Sequence, residues 1–207
     1  IGAFSRTNFC SIPAPASSPL ASPAAVPRLN PIHAAVRALP PTRPSSLPEG
    51  HGILDLLPSE SRGLLEPLVR LAEASEHLAS GYVGAFSDGG RHYAIPRFAF
   101  LGPRGGGDTM RVGLFAGLRG DERTGPAALV EFLHRLEADP QLATGYHVYV
   151  YPIGNPTGFE DRTELTRSGH DLTREFWRGS AAPEAYYLER ELGVLQFQGV
   201  ISVHSAQ

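Results

Sequence analysis

The chain contains no lysine; all 18 of its basic side chains are arginine. It has one cysteine, Cys10, one methionine and one tryptophan among 207 residues. A single thiol excludes an intramolecular disulfide framework and any cysteine-based zinc knuckle. That usage suits a reducing compartment and leans slightly toward the cytoplasm. No run of 18 apolar residues occurs, so no membrane-spanning helix and no membrane partner are expected. The opening Ile1-Gly2-Ala3-Phe4 has neither an initiator methionine nor the compact apolar stretch of a secretory signal. Positive charge is also scarce: the formal net charge is −3. Nucleic acid is therefore not an expected partner, because phosphate binding needs clustered basic residues.

What is present is unevenly spread. Residues 1–50 hold 10 of the 19 prolines and four arginines against one acid, Glu49, a formal +3; the remaining 14 arginines and 20 acids give −6. Proline removes N–H donors and biases its predecessor away from helix. No apolar periodicity survives there, so residues 1–50 read as a disordered Pro/Ala/Ser-rich segment. Residues 51–207 read as part of one α/β domain. Ser61 is expected to cap a helix running to about residue 78, with an apolar stripe through Leu64, Leu65, Leu68, Leu71 and Ala72. Strands are expected over 81–86 and 91–102 around the turn Ser87-Asp88-Gly89-Gly90. The glycine-rich stretch 102–108 lacks the Gly-Lys-Ser/Thr ending of a phosphate-binding loop and reads as a hairpin turn. Met110 to Leu118 is a buried-type strand, and a helix with Pro126 near its first turn follows, ended by Asp139-Pro140. Tyr146 to Tyr151 is a strand, residues 154–180 a loop, Pro183 to about Leu195 a helix, and Val200 to His204 a last strand. The order predicts an α/β fold with a mixed, largely parallel sheet flanked by helices. Ligand sites in such sheets lie beyond the carboxyl ends of the strands.

Three strand ends carry the polar residues. The first reads Gly117-Leu118-Arg119-Gly120-Asp121-Glu122. The second reads Asn155-Pro156-Thr157-Gly158-Phe159, followed by Asp171-Leu172-Thr173-Arg174-Glu175-Phe176. The third reads Ser202-Val203-His204-Ser205. Four short motifs in this order, over roughly residues 90–207, resemble the zinc-carboxypeptidase family. That family carries a G-x-H-x-x-E turn, an N-P-D/T-G-F/Y segment, a D-L-N-R segment and an S-x-H-S strand end.

The resemblance implies a zinc-carboxypeptidase-like fold. It also implies one zinc ion held by two ligands from one turn and a third from a distant strand, with an open position for water. Glu122 and His204 match two of these ligands. Arg119 occupies the place of the third, a histidine. A guanidinium has no free lone pair and stays protonated, so the zinc is expected to be weakened or lost here. Thr173 and Arg174 match the pair that binds the substrate's terminal carboxylate, Arg174 keeping the bidentate fork. Asp171 is expected to orient the loop or a ligating histidine. The arginine that polarises the scissile carbonyl in the family falls at Glu164 in this sequence, leaving Arg167, ahead of Arg162, as the candidate.

The family's general base lies on a later strand, beyond Gln207, so the resemblance implies that this chain corresponds to a truncated, N-terminal part of a catalytic domain. The spare histidines His170, His147, His134 and His92 read as ordinary loop, strand and helix residues. The implied activity is hydrolysis releasing a C-terminal residue from a peptide. A close variant, in the succinylglutamate desuccinylase and aspartoacylase group, would cleave N-acyl amino acids. With Arg119, Glu164 and Thr173 all departing from the pattern, a non-catalytic descendant is the competing reading. The tripeptide Arg119-Gly120-Asp121 is accounted for by the turn and is not read as an adhesion signal.

Overall fold

The computed structural model describes residues 53–205. The segment 1–50 assigned to disorder lies outside them. After a short 3-10 turn, helix α1 spans Ser59–Ala74, and strands β1, Leu78–Asp88, and β2, Arg91–Leu101, follow. Strand β3 covers Met110–Phe115, helix α2 Thr124–Ala138 and strand β4 Tyr146–Tyr151. Two short helices, α3 at Pro156–Asp161 and α4 at Leu172–Glu175, interrupt the stretch expected to be loop. Helix α5, Pro183–Leu195, leads to strand β5, Gly199–Ser202.

Ser61 does not cap α1. Pro58 holds the cap position, its carbonyl accepting from Arg62 N–H at 2.8 Å, while Ser61 is buried within the first turns. The helix stops at Ala74 because the Ser75 hydroxyl accepts from the backbone N–H groups of His77 and Leu78, which turns the chain directly into β1. At the β1–β2 tip Gly89 and Gly90 both take positive φ, 56° and 76°, as a two-residue hairpin turn requires. Pro96 lies inside β2 and cannot donate to a ladder. It sits opposite Tyr82, where the β1–β2 register shifts, so an irregularity absorbs the missing donor.

The sheet order is β1-β2-β4-β3-β5. β1–β2 and β2–β4 are antiparallel, while β4–β3 and β3–β5 are parallel. The expected hairpin at 102–108 is therefore corrected: β2 and β3 are not neighbours. β4 inserts between them, pairing Phe98 with Val150 on one side and Leu114 with Val150 on the other. The glycine-rich segment is a crossing connection whose backbone bonds go to the entry of β4. Gly102 N–H donates to Tyr146 O, Gly145 N–H to Pro103 O, and Met110 N–H to Gly145 O.

Alternation along the strands sends side chains to two cores. Phe98, Phe100, Leu114, Val148 and Val150 pack with Leu65 and Leu68 of α1 and Leu129 and Leu133 of α2. Ile95, Phe115 and Tyr151 pack on the opposite face with Ala185 and Leu188 of α5. That second core also contains an ion pair. Arg97 Nη1 meets Glu191 Oε1 at 2.7 Å, and the Tyr151 hydroxyl donates to the same oxygen at 3.0 Å. Among the described residues no helix is long and apolar enough to cross a membrane.

Candidate functional site

The parallel register brings three carboxyl ends level. Phe115 pairs with Tyr151 on one side and Ser202 on the other. The turn after β3, the loop after β4 and the chain leaving β5 thus emerge on one edge, as the topology requires of a sheet-edge site. A cleft of about 370 Å³ opens there, lined by Arg119, Asp121, Glu122, His204 and Ser205.

Glu122 is only 7% exposed. Its Oε1 accepts from the Ser205 hydroxyl at 2.9 Å and from the Ser205 backbone N–H. Its buried Oε2 makes no hydrogen bond, and His204 Nδ1 stands 3.4 Å from it. The other ring nitrogen of His204 lies 2.7 Å from the Ser202 hydroxyl. The structure therefore brings Glu122 and His204 together from sequence positions far apart. Arg119 joins them in the cleft, but its guanidinium faces acids: Nη1 meets Glu164 Oε1 at 2.8 Å, and Nη2 reaches Asp121 Oδ2 at 3.4 Å.

These residues do not fit the three-ligand zinc centre that the sequence resemblance implies. An orphaned carboxylate oxygen facing an imidazole suits two ligands. The third wall is a cation with no lone pair to give. Among the described residues, no group of three or more His, Cys, Asp and Glu side chains is placed to hold a metal.

The remaining candidates are not among the residues lining the cleft. The Arg167 guanidinium is bound by Asp161, at 2.6 and 2.7 Å, by Glu160 at 3.1 Å, and by the Tyr93 hydroxyl. The hydrogen bonds it donates to Asp161, more than any other contact, hold the Arg167 pKa far above its ordinary range. Thr173 and Arg174 both turn toward Asp171. Asp171 Oδ1 caps α4 by accepting from Thr173 N–H and from the Thr173 hydroxyl, at 3.0 and 2.6 Å, and Arg174 Nε lies 3.3 Å from Oδ2. The Arg174 side chain is 81% exposed. His170 pairs with Glu175, with 3.3 Å between Nδ1 and Oε1, and Arg162 pairs with Glu60 at 2.9 Å.

Two contributors escaped the sequence reading. Ser205 was visible only as a motif letter, and nothing local marks it as the donor that fixes Glu122. Asn155 is the second. Fully buried, it caps α3 by accepting from Gly158 N–H at 2.9 Å, and its amide donates to the carbonyls of Leu118 and Glu164, at 3.4 Å each. It thereby ties the turn after β3 to the loop after β4. The two backbones touch at Gly120, where a Cβ would stand 2.0 Å from the carbonyl carbon of Gly158. Only glycine tolerates that approach.

Behind Asn155 lies a buried acid. Glu184 is 1% exposed; Thr157 donates to its Oε1 at 3.2 Å, and Oε2 has no hydrogen-bond partner. Burial raises its pKa above the ordinary 4.5. The native state then binds a proton that the unfolded chain has already released, so this group's contribution to stability falls as pH rises from about 4.5 through the raised value. Glu184→Gln is expected to remove that slope. Thermal melts of both forms from acid to neutral pH should show the variant gaining on the parent as pH rises; a constant difference would contradict a buried, proton-holding carboxyl.

No protein-family model matches the chain, and no match was found among curated proteins. Solved structures do match. A metallo-carboxypeptidase from Burkholderia cenocepacia aligns with 70% of this chain and 41% of its own at 15% identity and a TM-score of 0.61. A metallo-carboxypeptidase from Pseudomonas aeruginosa aligns with 70% of this chain and 40% of its own, at 21% identity and a TM-score of 0.56. Succinylglutamate desuccinylase/aspartoacylase from Rhodobacter sphaeroides aligns with 63% of this chain and 40% of its own, at 22% identity and a TM-score of 0.50. The chain spans about half the length or less of several of the solved structures it matches, with shares of 39% and 55% at the two ends. Likeness at this level of identity establishes architecture: the chain has the α/β fold of the metallo-carboxypeptidases and of succinylglutamate desuccinylase/aspartoacylase.

Proposed function

We propose that the cleft is a hydrolase site of the zinc-metallocarboxypeptidase type, built to release a C-terminal residue from a peptide, that has lost metal-dependent activity in this chain. The observation that carries the proposal is the pairing of Arg119 with Glu164 at 2.8 Å beside the Glu122–His204 pair. Zinc hydrolysis needs three protein ligands and an open position for water. Here two donors remain, and a fixed positive charge stands in the third place.

The substrate side supports the same reading. The Arg119 guanidinium, the arginine that lines the cleft, is already paired with Glu164 and Asp121 and is not free to take a peptide's terminal carboxylate. Arg174, the candidate clamp for that carboxylate, bonds Asp171 and is largely exposed.

The test uses the unmodified protein. Equilibrium dialysis against zinc should leave it far below one ion per chain at micromolar free metal. A panel of peptides and N-acyl amino acids should show no hydrolysis above background with added zinc. Cleavage of peptides would restore the working-carboxypeptidase reading, and cleavage confined to N-acyl amino acids would move the site to the deacylase group.

A further inference from the structure

Arg119 and Glu164 are remote in sequence and meet at the mouth of the cleft. The turn after β3 and the loop after β4 are already joined beneath them by the Gly120–Gly158 contact and the Asn155 amide. Gly120 N–H also donates to Glu164 O at 3.3 Å. The ion pair is the outermost bond of this junction, with Arg119 28% and Glu164 45% exposed.

We infer that Arg119 and Glu164 are a matched pair that clamps the turn after β3 to the loop after β4 across the cleft mouth, and that this clamp and a bound metal ion exclude one another. The argument is one of charge. Without Arg119, Asp121, Glu122 and Glu164 would crowd three carboxylates around the cleft with no cation lining it. Without Glu164, the guanidinium would keep only its 3.4 Å contact to Asp121. Each residue makes the other tolerable, and both depart, with opposite sign, from the pattern the sequence resembles. The Arg119 pKa lies above its ordinary value, first through the hydrogen bond to Asp121 and against the opposing effect of burial, with Glu164 and Glu122 adding to it. A guanidinium so held gives no lone pair and repels a divalent ion. The exclusion half of the inference rests on the peptidase-type reading of the cleft; the clamp half rests on the contacts alone.

Amide hydrogen exchange on the full chain separates the two. Arg119→Gln and Glu164→Gln should each speed exchange at the Gly120 N–H by roughly two- to fivefold, the scale of a partly exposed ion pair opening locally. The double variant should exchange no faster than either single one, and the reversed pair Arg119→Glu/Glu164→Arg should return most of the protection. Additive effects, or a reversed pair as fast as the double variant, overturn the clamp whatever the metal does. Zinc dialysis of the same double variant tests exclusion: with Glu122 and His204 intact and the guanidinium gone, zinc should bind more tightly than to the unmodified protein. Equal affinity overturns exclusion while leaving the clamp standing. One tightly held zinc in the unmodified protein overturns exclusion and the proposed function together.

Discussion

Replacing Glu191 by leucine while Arg97 stays in place is expected to lower the unfolding free energy by about 3–5 kcal/mol. The side chains of this pair are 5% and 8% exposed and lie between the sheet and α5. Arginine cannot shed its charge to escape burial. Removing the carboxylate therefore takes the Glu191 charge away from a buried guanidinium, and it strips the Tyr151 hydroxyl of its acceptor. The companion Arg97→Leu/Glu191→Leu variant should recover much of the loss, since an apolar pair of similar volume is often as stable as the ion pair it replaces. Urea denaturation of both variants supplies the check. A single variant losing less than about 1 kcal/mol would mean that water reaches the pair, as it does for exposed salt bridges.

Arg119→His is the second change with a large expected effect. Glu122 Oε1 is held by Ser205, and Oε2 faces the His204 ring at 3.4 Å. An imidazole introduced at position 119 adds a third donor and removes the repelling charge. Zinc affinity should rise by at least about 100-fold, because even outer-shell partners are worth roughly 10–100-fold. The Glu164 carboxylate left behind is nearly half exposed and can turn to water. Chelator competition measures the gain directly. An unchanged affinity would show that Glu122 and His204 are not arranged around a common ion, leaving the likeness to metallo-carboxypeptidases one of fold alone.

The same contrast between local and distant information runs through the whole molecule. Strand 146–151, the helix beginning at Pro183 and the turn at Gly89-Gly90 were legible because each is written in a few consecutive residues. A run of aromatic and β-branched residues marks the first, proline at a first helical turn the second, and adjacent glycines at a hairpin tip the third. The polar residues of the cleft were legible as motif letters for the same reason. The glycine-rich stretch 102–108 was misread as a hairpin because its chemistry is that of any tight turn. Only the pairing of β4 with both β2 and β3 makes it a crossing connection. Ser61 was misread as a cap because a serine before an apolar stripe is a local signal, and the carbonyl of Pro58 took that place.

The sequence by itself determined which segments are helix and strand over most of residues 53–205, and which side chains could bind a metal or an anion. Partnership was decided by tertiary structure. Arg119 faces Glu164, Glu122 is held by Ser205, Arg167 turns to Glu160 and Asp161, and Arg97 finds Glu191 through the packing of α5 on the sheet. A side chain's donors and charge belong to its own residue type. What neutralises that charge depends on strand order, and strand order is settled by pairings between segments distant along the chain.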